Sequence, residues 1–238
     1  VKSNSAIIAP VIIRFGRWKP IVFGTLFVLV CSLPYFMLVP GSFEAFAANL
    51  TEGMKVPSLA GNQGFAALIG ISVLRLGGYW PGSIFEVNAQ LDALNSVLIL
   101  PTLLTVIVIG LIGLVLTLKL ERSSFLELCL LWMLIYFLLY KHVWEHQYVM
   151  VLPVFVFLFL EHEQERFHFS PVLWGSYAVI ALPTLFALVD QRPVVADPEY
   201  YWSTAESLLV HAPKPLALVA LFATVVPALW NGRRRRVA

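Results

Sequence analysis

The sequence predicts an all-α integral membrane protein, a polytopic helical bundle of about seven membrane segments forming a single transmembrane domain over residues 1–238. Three observations carry this expectation. Only 13% of the residues are charged and 59% are hydrophobic, whereas a soluble domain carries roughly 25% charged residues. Mean hydropathy is +0.82, and the apolar residues fall in runs suited to hydrocarbon about 30 Å thick. The basic residues gather at the ends of those runs.

The first apolar stretch, residues 6–13, is too short to span and runs into Arg14, Arg17, Trp18 and Lys19. Residues 20–40 are long enough to cross. A mixed stretch, 41–95, leads to a third run, 97–118, closed by Lys119, Glu121 and Arg122. Two further runs, 125–140 and 148–160, are separated only by residues 141–147. After the charged stretch 161–168 come the run 171–189, a polar segment 190–214, and the run 215–230. The chain ends on Arg233, Arg234, Arg235 and Arg236. It opens on Val1-Lys2-Ser3-Asn4 without the basic region and cleavage site of a leader, which leads us to expect further segments upstream. Cys31 and Cys129 each lie inside an apolar run and are expected to be packing residues without a disulfide.

Orientation follows from the Lys/Arg bias of short loops. With the arginine tail cytoplasmic, the turns 14–19, 119–122 and 161–168 also fall inside, and ten of the sixteen Lys and Arg residues share that side. The segments 41–95, 141–147 and 190–214 then lie outside. In the first of these, Phe43, Phe46, Ala47 and Leu50 form one apolar stripe at helical spacing, as in a helix lying on a membrane surface. A second helix is expected from Asn62-Gln63 to Leu76, with Asn62 as N-cap and an apolar surface nearly all round. The segment 190–214 reads as a surface cap.

Residues 141–147 hold the densest polar chemistry. The flanking runs of 16 and 13 residues would reach ~24 and ~20 Å as helices, short of the ~30 Å core. Lys141, His142, Glu145 and His146 are therefore drawn toward the membrane interior, where ionisable groups mark function by default. A helix starting near His142 would put His142, Glu145, His146 and Val149 on one face. The alternative is an interfacial turn with a snorkelling Lys141 and a belt Trp144. His142-x-x-Glu145-His146 also fits a short zinc-binding pattern, though no third acidic ligand follows at helical spacing. A second cluster joins Asn62 and Gln63, whose amides suit sugar hydroxyls, to Arg75, which suits a phosphate. An N-cap with a snorkelling arginine explains the same residues.

The order of these features resembles glycosyltransferase family 87. Lys2 leads into the basic turn Arg14-Phe15-Gly16-Arg17-Trp18. Gly61-Asn62-Gln63-Gly64 follows with Arg75, and then His142-Val143-Trp144-Glu145-His146-Gln147-Tyr148-Val149 and Leu152-Pro153. The chain departs from the family at Gly64, where serine is frequent, and at Ser3-Asn4-Ser5, where a proline is frequent. The resemblance implies a GT-C fold in a bacterial plasma membrane, of which this chain would be the C-terminal part, with no certain cofactor beyond a lipid-linked sugar donor. It implies transfer of a sugar, mannose first, from a polyprenyl-phosphate sugar to a glycan, lipid or protein acceptor on the non-cytoplasmic side, with no nucleic acid involved. Lys2 and Arg75 would face the lipid phosphate. Asn62, Gln63, Lys141 and His142 would line the substrate site, Glu145 and His146 would be the catalytic pair, and no metal is implied. The family's usual base lies in an earlier outer loop, so it is expected upstream of Val1. Two other classes stay open: a secondary transporter with a Glu145, His142 and His146 proton relay, and an intramembrane zinc hydrolase.

Overall fold

A computed structural model describes residues 7–54, 62–78, 84–119, 125–140, 142–163, 171–184 and 202–236. Among them helix is the only regular structure and no strand occurs. Helix α1 (Ala9–Arg14) ends in a Schellman motif. Gly16 turns left-handed at φ 69°, and the N–H groups of Gly16 and Arg17 donate to the carbonyls of Ile13 and Ile12 at 2.9 and 3.0 Å.

Helix α2 (Lys19–Leu38) has Pro20 in its first turn, where the missing N–H costs nothing. It is followed by a turn through Pro40 and Gly41 (φ 76°) into α3 (Ser42–Met54). Phe36 of α2 meets Phe43 and Phe46 of α3, with ring centroids 6.0 and 5.4 Å apart. Phe43, Phe46 and Ala47 of the expected stripe otherwise remain exposed.

Helix α4 (Phe65–Leu76) is buried along Ala66, Ala67, Leu68, Gly70, Ile71 and Leu74, as its nearly uniform apolarity requires. Helix α5 (Ile84–Lys119) has 36 residues. It starts well before the apolar run at 97, because residues 84–96 contain no proline or glycine to stop it.

Helix α6 (Phe125–Leu139) is the centre of the bundle, buried from Leu128 to Leu138 on nearly every face, and it packs against α4, α5 and α10. At Gly113 the absent side chain lets Ile135 and Trp132 of α6 close on α5. Trp132 Nε1 donates to Thr117 Oγ1 at 2.8 Å, and Thr117 donates onward to the Gly113 carbonyl at 2.7 Å, so a buried polar group is satisfied within the apolar core. A 3-10 helix (Glu145–Val151) runs directly into α7 (Leu152–Glu163).

Helix α8 (Pro171–Ala181) packs on α10 (Pro213–Arg236) and meets α7 through Phe155, Phe159, Trp174 and Tyr177. Helix α9 (Thr204–His211) carries a complete capping box. Glu206 N–H donates to Ser203 Oγ at 3.2 Å and Ser203 N–H to Glu206 Oε2 at 2.7 Å.

Among the described residues two helices are long and apolar enough to cross a membrane, α2 and the part of α5 over Ile99–Lys119. A third is added if α9 and α10, bent by 48° at their junction, count as one span. Pro213 and Pro215 account for that bend, since each removes a backbone donor. The other apolar helices have 10–17 residues. The guanidinium of Arg17 lies 5.6 Å from the centre of the Phe125 ring, which places the α1 turn at the start of α6. Lys119 and the last turn of α10 lie at the same end, by the direction of their helices. The three basic groups thus share one end of the bundle.

Candidate functional site

The opposite end of α6 holds the residues with chemistry. There the chain segments around Asn62 and Val143, 81 positions apart, are stitched together. Asn62 Oδ1 accepts the N–H groups of Gly64 at 2.9 Å and Val143 at 3.0 Å. Gln63 N–H donates to the Val143 carbonyl at 2.7 Å, and the Tyr148 hydroxyl donates to the Gln63 carbonyl at 2.7 Å. Tyr148 stacks on Phe137 of α6, with centroids 5.7 Å apart. Asn62 and Gln63 are each 1% exposed.

This stitching corrects two expectations. Asn62 is not the N-cap of α4; Gly64 occupies that position without a side-chain bond, because the Asn62 amide oxygen is committed to the Gly64 and Val143 N–H groups. Nor does a helix begin near His142. Val143 uses both backbone groups on Asn62 and Gln63, which keeps residues 142–144 out of a helix. The helix starts at Glu145 and is 3-10, with i and i+3 eclipsed. Glu145 therefore aligns with Tyr148, while the half-buried His142 precedes the helix and His146 is exposed. Gln147 holds the start, its side-chain oxygen accepting the Trp144 N–H at 3.2 Å.

Glu145 is the hub. Its Oε1 accepts both the backbone N–H of Thr184 and the Thr184 hydroxyl, the latter at 2.8 Å. Lys214 Nζ lies 3.1 Å from the same oxygen. Lys214 also donates to the carbonyls of Leu182 at 2.8 Å and Ile180 at 3.3 Å, and its ammonium lies 5.6 Å from the Tyr148 ring centre. Those carbonyls are the unpaired acceptors that α8 leaves at its C-terminus, where Pro183 stops it. Gln63 Nε2 donates to Thr184 Oγ1 at 2.6 Å, extending the chain of bonds back to the stitched loop. Burial would raise the Glu145 carboxyl, but the Thr184 N–H and hydroxyl and the Lys214 ammonium outweigh it and hold the group below the usual carboxylate range.

No protein-family model, curated protein or solved structure matches the chain. Its chemistry must be read from its own geometry.

Of the residues singled out in the sequence, the structure brings Asn62, Gln63 and Glu145 into one network. Arg75 stands near the other end of α4, roughly 15 Å along the helix axis from Phe65, half-buried and with a partner of its own. Lys2 and Lys141 lie outside the described residues. Among the described residues no group of three His, Cys, Asp or Glu side chains is placed to hold a metal ion. Sequence reasoning missed Thr184 and Lys214. Lys214 was grouped with the surface segment 190–214, yet it is 5% exposed, and Trp202 and His211 of the same segment are buried too. A lysine flanked by Pro213 and Pro215, entering an apolar helix from its N-terminal end, was the available signal. A cation there opposes the helix dipole and needs an acceptor elsewhere.

Proposed function

We propose that the chain is a membrane glycosyltransferase of GT-C type, its shorter apolar helices completing a bundle of about seven segments. It transfers a sugar, mannose first, from a polyprenyl-phosphate donor to an acceptor hydroxyl on the non-cytoplasmic side of a bacterial plasma membrane. The observation that carries this reading is the Gln63–Thr184–Glu145–Lys214 network at the end of the bundle opposite the three basic groups. That end is the outer one if basic groups stay inside.

In the reaction the acceptor hydroxyl gives its proton to a carboxylate, and its oxygen bonds to the anomeric carbon. The bond from that carbon to the phosphate oxygen breaks, and the lipid phosphate departs with the electron pair. Glu145 is ionised and can accept a hydrogen bond from the acceptor. Held below its usual range, it is a weak base, which fits a role in orienting the acceptor beside a stronger base. His146, the next residue, is exposed. The test is transfer from a radiolabelled polyprenyl-phosphate mannose by membranes carrying the full-length protein, its Glu145→Ala form or its His146→Ala form. Loss of transfer in Glu145→Ala is expected; full transfer by both variants removes this turn from the mechanism.

One observation favours a second reading. The ion pair sits at the 48° break between α9 and α10, and broken helices beside a buried charge are a feature of secondary transporters. Proton-coupled uptake by proteoliposomes that is abolished by Glu145→Gln, with no sugar transfer, would establish that reading instead.

A further inference from the structure

The donors that hold Glu145 all converge on one of its carboxylate oxygens. The Thr184 N–H, the Thr184 hydroxyl and the Lys214 ammonium each reach Oε1. Oε2 takes no bond from the described residues and is not buried, and the side chain as a whole is 35% exposed. A carboxylate can accept at both oxygens. Here one oxygen is engaged inside the protein and the other is kept open.

The sequence at the end of α8 produces this one-sided grip. Backbone bonding of the helix runs as far as the Leu182 N–H, which donates to the Ala178 carbonyl at 3.0 Å. Pro183 has no N–H, and the Thr184 N–H beyond it turns to Glu145. The direction of the side-chain bonds follows from counting protons. Thr184 has a single hydroxyl proton, and the ionised Glu145 can only accept. That proton therefore points to Glu145 across 2.8 Å, and the hydroxyl oxygen accepts from Gln63 Nε2 at 2.6 Å. The Gln63 amide is thereby fixed, with its Oε1 buried and without a donor among the described residues. A buried acceptor without a donor is costly, so Gln63 gives up a favourable bond while its donor end holds Thr184. Lys214, the third donor, is itself fixed by the Leu182 and Ile180 carbonyls at 2.8 and 3.3 Å.

We infer that Thr184 is a positioning residue for Glu145: set by Gln63 and helped by Lys214, it holds Oε1 and leaves Oε2 to receive a hydrogen bond from the substrate. The inference rests on the glycosyltransferase reading only in taking that substrate group to be the acceptor hydroxyl. A carboxylate free to rotate must be ordered at each encounter, whereas one held through Oε1 offers the same oxygen at the same place. Three donors on Oε1 also stabilise the ionised form, so Oε2 orients a hydroxyl better than it removes its proton.

The test compares Thr184→Val, which removes the hydroxyl and keeps the backbone N–H, with Thr184→Ser, which keeps both. Full-length protein in phosphatidylcholine nanodiscs is treated with dicyclohexylcarbodiimide, which modifies protonated carboxyls. Labelling of the Glu145 peptide is followed by mass spectrometry. At about pH 6, above the carboxylate range, the rate follows the small protonated fraction. Thr184→Val is expected to label about tenfold faster than wild type, because a hydrogen bond to a charged acceptor is worth about one pKa unit. Thr184→Ser should label as wild type. So should Thr224→Val, whose lost hydroxyl bond is to the Ala220 carbonyl on α10, at 2.8 Å. The gain should shrink toward acid pH, where Glu145 is protonated in every form. In the transfer assay kcat should fall in Thr184→Val and recover in Thr184→Ser. Wild-type labelling in Thr184→Val, a gain of the same size at every pH, or full transfer by that variant overturns the inference. The labelling gain without sugar transfer by any form would overturn the glycosyltransferase reading and leave the positioning role of Thr184 standing; transfer with unchanged labelling would do the reverse.

Discussion

Lys214 Nζ lies 3.1 Å from Glu145 Oε1 and also binds the two carbonyls that end α8. One ammonium therefore ties the 3-10 helix, α8 and α10 together. Replacing Lys214 by Met keeps most of the apolar stem, yet leaves a carboxylate and two carbonyls with reduced partners. Breaking a fully buried pair costs about 3–5 kcal/mol. Glu145 is about one-third open, so solvent screens part of the loss and about 1–3 kcal/mol is expected. Thermal unfolding in detergent should show Lys214→Met less stable than wild type. The double variant Lys214→Met/Glu145→Gln should recover part of the difference, because it removes the stranded charge. No recovery would mean that the α8 carbonyls, not Glu145, dominate the role of Lys214.

The same pair sets an acid limit on this end of the bundle. Folding lowers the Glu145 pKa from its ordinary 4.5. The stabilisation is therefore fully present above that value and is lost as pH falls through the lower folded value. The stability gap between wild type and Glu145→Gln should be constant near neutrality and should close only below about pH 4.5. A gap that narrows already between about pH 7 and pH 5 would point to a histidine instead.

The helices were legible because long apolar runs are bounded by charged or polar stretches. Helix α6 is apolar on all sides and is the centre of the core. The loop chemistry was less visible. Asn62 satisfies the ordinary requirements of an N-cap in sequence, but its side chain is shared between the Gly64 N–H and the Val143 N–H, 81 residues away. Lys214 sits in a polar stretch that reads as solvated, while its partners belong to the end of one helix and the start of another. Both residues are defined by backbone groups of distant segments, and no local periodicity encodes those. The Glu145 cluster stood out for the opposite reason, as charges between two apolar runs are costly wherever they fold.

The contact between α5 and α6 gives a prediction about packing. A methyl group at Gly113 would overlap Ile135 Cδ1, the far end of a flexible side chain, and would touch Trp132 Cζ2 at 3.4 Å. Ile135 can swing aside for an alanine, so Gly113→Ala should be nearly neutral. Gly113→Leu must also displace the Trp132 indole from Thr117 and should cost about 1–3 kcal/mol. Unfolding of the two variants, followed with tryptophan fluorescence, separates these outcomes. Equal stability would mean that the helices move apart without loss.

Gly64 provides a sharper test of the stitched loop. Its φ of −76° is open to any residue, so a substitution there meets contacts and no backbone strain. A Cβ at this position would lie 3.1 Å from Asn62 Oδ1, 3.2 Å from the Tyr140 carbonyl oxygen and 3.2 Å from Val143 Cγ2. The carbonyl belongs to the end of α6, and the Asn62 oxygen is held by two N–H groups, so neither yields easily. Gly64→Ala should therefore cost about 1–3 kcal/mol. Gly64→Ser meets the same contacts and adds a hydroxyl. That hydroxyl must find a hydrogen bond in this buried site or add the cost of an unpaired polar group. Thermal unfolding of both variants measures the cost. If Gly64→Ser matched wild type, the hydroxyl would have found a bond that offsets the crowding, and Gln63 Oε1 would be the first acceptor to examine.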